Sequence, residues 1–223
     1  MTEHGILFSS GMIQAIQKER KTQTRRVLTP EPCGASYDPS LNVTGKWEFC
    51  CDLHNEDEEV DRHLYRCHHV GDRLWVRETF AIRTDAHSGK SQWLEGPLPK
   101  EKPQDYRVIY KADGGDAWSK TSEERGFDWR PSIFMPRWAS RITLEVREVR
   151  AQRVQEITEK DAQSEGVEKY DEFHWTNYLH IGQPDLAHPR QSFATLWDSI
   201  NADRGYSWES NPWVFAITFR RVA

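Results

Sequence analysis

Lys18-Glu19-Arg20-Lys21-Thr22-Gln23-Thr24-Arg25-Arg26 is the stretch on which the reading of this chain turns. It gathers five basic side chains and one acid in a protein of formal net charge -5, so the positive strip is a local device rather than general basicity. The Thr24 hydroxyl stands three residues from the Lys21 amine, with arginines on both sides. Such a pattern suits a bound phosphate and equally suits activation of a weak oxygen nucleophile. Upstream, residues 4–8 read as a strand, and Ser9 or Ser10 caps a predicted helix over 11–20 with Met12, Ile13 and Ile16 inside. Lys18, Arg20 and Lys21 then fall in its last turn, where the helix dipole alone would account for them. Arg25 and Arg26, on a predicted strand from Gln23 to Leu28, need another reason.

Downstream the pattern is short strands between polar stretches. Arg73 to Phe80 alternates, with Leu74, Val76 and Glu78 on one face and Trp75, Arg77 and Thr79 on the other. Whichever face is core, a charged group points inward and needs a buried partner. Tyr106 to Lys111 reads as a strand, and Ile142, Leu144 and Val146 mark a half-buried one. Thr158 caps a helix to about Glu165, closed by Gly166. Phe193, Leu196, Trp197 and Ile200 define an amphipathic helix over 190–202, and Trp213, Phe215, Ile217 and Phe219 alternate in a last strand. Without β-α-β alternation the expectation is an α+β fold, a small β-barrel of about five to six strands with helices packed outside. We expect a single domain over 1–223, with loop insertions at 31–69, 81–104, 112–133 and 168–189.

Ten Trp, seven Tyr and nine Phe supply enough apolar area for a core despite a hydrophobic fraction of 37%. No run reaches the ~18 apolar residues of a membrane span, and no signal-peptide pattern opens the chain. The expected compartment is the cytoplasm. In a reducing compartment Cys33, Cys50, Cys51 and Cys67 are not expected to form disulfides. With His54, His63, His68 and His69 nearby they raise the alternative of zinc, but the chain has no C-x-x-C pair and Cys50 and Cys51 are adjacent, so no metal or other cofactor is expected. The acidic run Glu56 to Asp61 reads as a solvated face.

These pieces together resemble the ASCH domain family. Arg20-Lys21-Thr22-Gln23-Thr24-Arg25 after a strand and helix is similar to the family's opening signature, and Gly71-Asp72-Arg73-Leu74-Trp75-Val76 to its Gly-Asp-x-Leu strand entry. The strand Ile142–Val149, the segment Ile157-Thr158-Glu159-Lys160-Asp161-Ala162 running to Glu165, and the aromatic Trp213–Phe219 strand resemble its later parts. The long, tryptophan-rich form, with Met135-Pro136-Arg137-Trp138-Ala139-Ser140-Arg141, is most similar to members carried by bacteriophages and prophages, so host cytoplasm is implied. The resemblance implies a PUA-like barrel, a nucleoside or RNA partner, and for some members an amidohydrolase that deacetylates N4-acetylcytidine; others are ribonucleases. Family catalytic positions match Lys21, Thr24 and Glu165. The chain is about twice the size of the minimal enzymes, which leaves the substrate more open than the fold.

Chemically, Lys21 can deprotonate Thr24 only with a pKa well below ~10.4. Burial and neighbouring arginines push it down, and a nearby Glu165 pushes it up. Glu165, at the C-terminal end of its helix, is placed to act as general acid. Arg20, Arg25 and Arg26 are candidates to fix a phosphate or polarise a carbonyl. Trp75 or Trp138 is a candidate stacking platform for a pyrimidine. Glu78 is an independent candidate acid or a structural ion-pair partner. Arg137 and Trp138 read either as phosphate clamp and base platform or as core with solvated charges. The rivals to hydrolysis are a non-enzymatic RNA-binding module and a ribonuclease.

Overall fold

The computed structural model describes residues 2–29, 36–37, 47–50, 62–65, 68–84, 92–114, 120–180 and 185–223. In chain order these begin β1 (Glu3–Leu7), α1 (Ser10–Gln17), β2 (Gln23–Val27), β3 (Ser36–Tyr37), β4 (Trp47–Cys50) and β5 (Arg62–Tyr65). There follow β6 (Arg73–Arg77), β7 (Phe80–Thr84), β8 (Gln92–Trp93), β9 (Tyr106–Tyr110) and α2 (Ser122–Arg125). The rest are β10 (Thr143–Arg153), α3 (Glu159–Ser164), β11 (Trp175–Thr176), β12 (Asp185–Leu186), α4 (Pro189–Asn201) and β13 (Trp213–Arg221). The fold is mixed α and β. One sheet has the order β1-β6-β10-β13-β2, two of three strands run β8-β7-β9 and β3-β4-β5, and β11 pairs with β12. Among the described residues none of these sheets closes into a barrel.

The chain divides into two units, one of residues 1–19, 72–145 and 221–223, the other of 20–71 and 146–220. In the first, β1 runs parallel to β6 with Ile6 opposite Val76, and β6 runs antiparallel to the start of β10, with Trp75 opposite Thr143. The alternation of β6 resolves to its first phase: Leu74, Val76 and Glu78 are buried, together with Ile142 and Leu144. The strand from Arg73 stops at Arg77 rather than Phe80, and Phe80 opens a second strand whose residues 81–84 are expected as loop from the sequence; Phe80 and Ile82 pack with Met135 and Ala139. The stretch after Gly114 contains α2, closed by a capping box between Thr121 and Glu124.

In the second unit β13 pairs antiparallel with β2, Ile217 opposite Thr24. Its core joins Val154, Ile157, Ala162 and Val167 with Phe193 and Trp197 of α4 and Val214 of β13. Burying a large aromatic such as Trp197 obliges its indole N–H to find a partner, and it donates to the Tyr206 carbonyl at 2.8 Å. Ile200 departs from the expected inner face of this helix and is 38% exposed. The last strand is buried on both faces, since Val214 and Ala216 are as enclosed as Phe215 and Ile217.

Cys33, Cys51, Cys67 and the acidic run at 56–61 lie outside the described residues, as does the side chain of Cys50. Among the described residues, no helix is long and apolar enough to cross a membrane.

Candidate functional site

Lys21 is delivered by a helix that stops early. Ser9 caps α1 by accepting from the Met12 N–H. Lys18 is then the C-cap, and Glu19 takes a φ of 59°, a left-handed conformation that no further helical turn tolerates. The basic residues therefore lie beyond the helix, and its last turn carries none of them. Helix-end electrostatics still suits Lys18, the C-cap, but does not explain Arg20 and Lys21.

From the other side, Thr158 caps α3 by accepting from the Asp161 N–H at 3.0 Å, and the helix ends with Glu165 as C-cap before Gly166 at φ 88°. Backbone pairing then joins the two segments. Lys21 and Glu165 form an antiparallel bridge, and the Thr22 N–H donates to the Ser164 carbonyl at 2.8 Å. A bridge of this kind sets the two side chains next to each other by construction.

The Lys21 ammonium Nζ donates to Glu165 Oε2 at 2.7 Å and to the Glu165 carbonyl at 2.8 Å. Its side chain is 0% exposed and that of Glu165 is 5%. Glu165 Oε1 accepts from Arg25 Nη1 at 2.9 Å, and the same nitrogen donates to Gln23 Oε1 at 2.6 Å. Asp161 accepts from Arg150 Nη2 at 3.1 Å, from Gln23 Nε2 at 3.2 Å and, more weakly, from Arg25 Nη2 at 3.4 Å. The Arg25 guanidinium also lies 5.6 Å from the centre of the Phe193 ring, while its buried Nε has no hydrogen-bond partner.

Burial settles the contest over Lys21. Loss of hydration pulls the amine below the usual lysine range, the Glu165 carboxylate works against that without cancelling it, and Arg26 and Arg25 add to the depression. Burial raises Asp161, but Arg150 and Arg25 outweigh it and hold the carboxyl below its ordinary value. Lys21 is thus an amine that can give up its proton inside a nearly closed polar cluster.

Thr24 is buried at 4% exposure, and strand alternation puts it on the opposite face of β2 from Gln23 and Arg25. Among the described residues its hydroxyl makes no hydrogen bond, so the structure joins Lys21 to Glu165 and does not join Thr24 to either. Arg20 Nη2 pairs with Glu168 Oε1 at 2.6 Å. Arg26 is exposed.

Four further candidates belong to the other unit. Glu78 is 1% exposed and takes a bidentate pair from Arg141 Nε and Nη2, both at 2.9 Å, which is its structural ion-pair use. Arg141 also meets Asp113 at 2.6 Å and lies 3.8 Å over the Tyr110 ring. Burial pushes the Tyr110 hydroxyl up to about 12. Trp138 donates its indole N–H to the Pro99 carbonyl at 3.0 Å and, half-buried, packs against the Phe80 cluster. Arg137 pairs with Glu3 at 3.1 Å in the open. Trp75 has the Arg77 guanidinium 4.4 Å from its ring centre, which occupies one of its faces.

Gln23, Asp161 and Arg150 extend the network around Glu165, from buried Gln23 to half-exposed Arg150, and sequence reasoning did not name them. The available signal was spacing: Asp161 and Glu165 stand four apart on one face of a helix. No family model, no curated protein and no solved structure matches the chain.

Proposed function

We propose that this chain is an ASCH-type protein of PUA-like fold that binds a nucleoside or RNA and hydrolyses the N4-acyl amide of an N4-acetylcytidine-type substrate. The observation that carries the reading is the Lys21 amine, wholly buried, 2.7 Å from Glu165 and depressed in pKa. A lysine whose proton burial has loosened is better suited to proton transfer than an ordinary one. In the proposed reaction the Thr24 hydroxyl attacks the acyl carbon and Lys21 takes its proton. The C–N bond then breaks, the departing amine takes the proton back from the Lys21–Glu165 pair, and water hydrolyses the acyl ester on Thr24. Strand alternation turns Thr24 away from the Glu165 cluster, so the reading requires its hydroxyl to meet the Lys21 amine across the bound acyl group.

Burial weighs against the rival in which the whole strip grips phosphates, because the side chains of Lys21 and Arg25 are 0% and 1% exposed. Phosphate recognition without chemistry would have to rest on residues such as Arg26, and would show a graded loss of RNA affinity with a shallower salt dependence when they are replaced. Incubation with N4-acetylcytidine tests the reading. Free acetate and cytidine are expected from the wild type and neither from Thr24→Ala; full turnover by Thr24→Ala removes the nucleophile assignment, and shortened RNA without acetate points to a nuclease.

A further inference from the structure

The unit of β6 to β9 holds a cavity that the Lys21 chemistry does not use. Its volume is about 450 Å³, and its walls include Trp93, Phe127, Trp129 and Phe134. Small-ligand sites span roughly 300–1,000 Å³, so this space admits a ring system rather than a lone ion.

The aromatic wall is built from within. Trp93 stacks on Phe127 at 3.9 Å with 25° between planes, and Trp129 meets Phe127 edge-on at 5.1 Å. Phe127 is buried, which fixes the stack, while Trp93 and Trp129 are half-buried and Phe134 is 62% exposed. A phenylalanine left that open beside an aromatic cavity is surface a ligand could cover.

The charged lining decides what kind of ligand. Arg130 donates Nη2 to the Leu94 carbonyl at 2.6 Å and to the Gly96 carbonyl at 2.8 Å, which commits that nitrogen to holding the 94–96 loop. The other charges on the wall are the exposed carboxylates of Glu95 and Asp128, and the Arg125 guanidinium stands behind it, 5.5 Å from the Phe127 ring centre and 5.8 Å from that of Trp129. Acceptors beside π faces favour a flat ring that carries N–H donors and disfavour a phosphate inside the cavity.

We infer that this cavity binds an unpaired, amine-bearing nucleobase, stacked on its tryptophan wall with the exocyclic amine toward Asp128 or Glu95 and any phosphate left outside. The base comes from a free nucleoside or from a single strand. This site goes beyond the acyl-cytidine reading and does not depend on it.

Titration calorimetry of the whole chain with cytidine, uridine, a short single-stranded cytidine oligonucleotide and tetramethylammonium tests the assignment. Phe134→Ala and Asp128→Asn change exposed side chains, and circular dichroism confirms that each variant folds. Cytidine is expected to bind, and Phe134→Ala to weaken it about tenfold, the loss of one stacking contact. Asp128→Asn should weaken cytidine more than uridine. Tighter binding of the oligonucleotide than of cytidine assigns the base to a strand, and equal binding assigns it to a free nucleoside. Lys21→Met should keep the Phe134-dependent binding whether or not the wild type releases acetate, which separates this site from the proposed hydrolysis. Cytidine affinity unchanged in both Phe134→Ala and Asp128→Asn overturns the inference, as does binding of tetramethylammonium alone or of no probe at all.

Discussion

Glu165 and Glu78 are both buried carboxylates held by an arginine, but Glu165 has a lysine as well, and that makes them different chemical objects. Glu165 faces a lysine with no solvent exposure, whose proton burial has loosened. Glu78 faces Arg141, which is 25% exposed and grips it with two parallel bonds. Burial opposes the Arg141 charge, yet Glu78 and Asp113 outweigh it and raise its pKa further. One pair can exchange a proton within itself; the other is a clamp whose cation never lets go. The identity of the base, more than depth of burial, separates candidate chemistry from structure.

The largest expected contrast is in rate. Lys21→Met should lower kcat for acyl-cytidine hydrolysis by about 10²–10⁴-fold, the usual worth of a positioned acid–base group, while Arg141→Lys leaves kcat unchanged in the same acetate assay. Stability should reverse that ranking. Arg141→Met strands the Glu78 charge in the interior and should cost ~3–5 kcal/mol by urea denaturation. Lys21→Met should cost less, since Arg25 still pairs with Glu165.

Next in size is the pH dependence of stability, with opposite slopes in the two regions. The Lys21 pKa is lowered, so between its folded value and 10.5 the unfolded chain binds the additional proton, and stability rises with pH across that window. Burial raises Glu78 above 4.5 despite Arg141, so between 4.5 and its folded value the native chain binds the additional proton, and stability falls as pH rises. Denaturation midpoints measured against pH should lose the rising slope in Lys21→Met and the falling one in Glu78→Gln. The smallest effect concerns the caps. Thr158→Ala and Thr121→Ala should each cost ~1 kcal/mol, but only Thr158→Ala should also slow acetate release, because α3 carries Asp161 and leads into Glu165.

Much of the frame was legible in the chain. The alternation of β6 with one charged group turned inward, the Thr158 cap, the end of α3 at Glu165 and the helix over Phe193 and Trp197 all follow from periodicity and capping, which are local; that the inward group is Glu78 and not Arg77 does not. What local pattern does not contain is the partner. Nothing in the sequence says that Arg25 turns inward to Glu165 while Arg26 stays exposed, because that choice depends on where folding sets Asp161 and Glu165 beside β2. The early stop of α1 was hidden too, since Glu19 in a left-handed turn carries no glycine to announce it. Phe80 reads in the sequence as the end of the strand from Arg73 and residues 81–84 as loop, yet Phe80–Thr84 is one strand that pairs with β8 and β9 in a different sheet. The barrel and the acyl-cytidine chemistry rest on the family resemblance and on the Lys21–Glu165 geometry.

Acetate release from N4-acetylcytidine as a function of pH, by the wild type and by Lys21→Arg, tests the central claim most directly. Proton exchange within the Lys21–Glu165 pair predicts a wild-type rate that climbs through an apparent pKa below 10.5 and is lost when arginine, which holds its proton, replaces the lysine. No acetate from the wild type at any pH, or a full rate from Lys21→Arg, would contradict it.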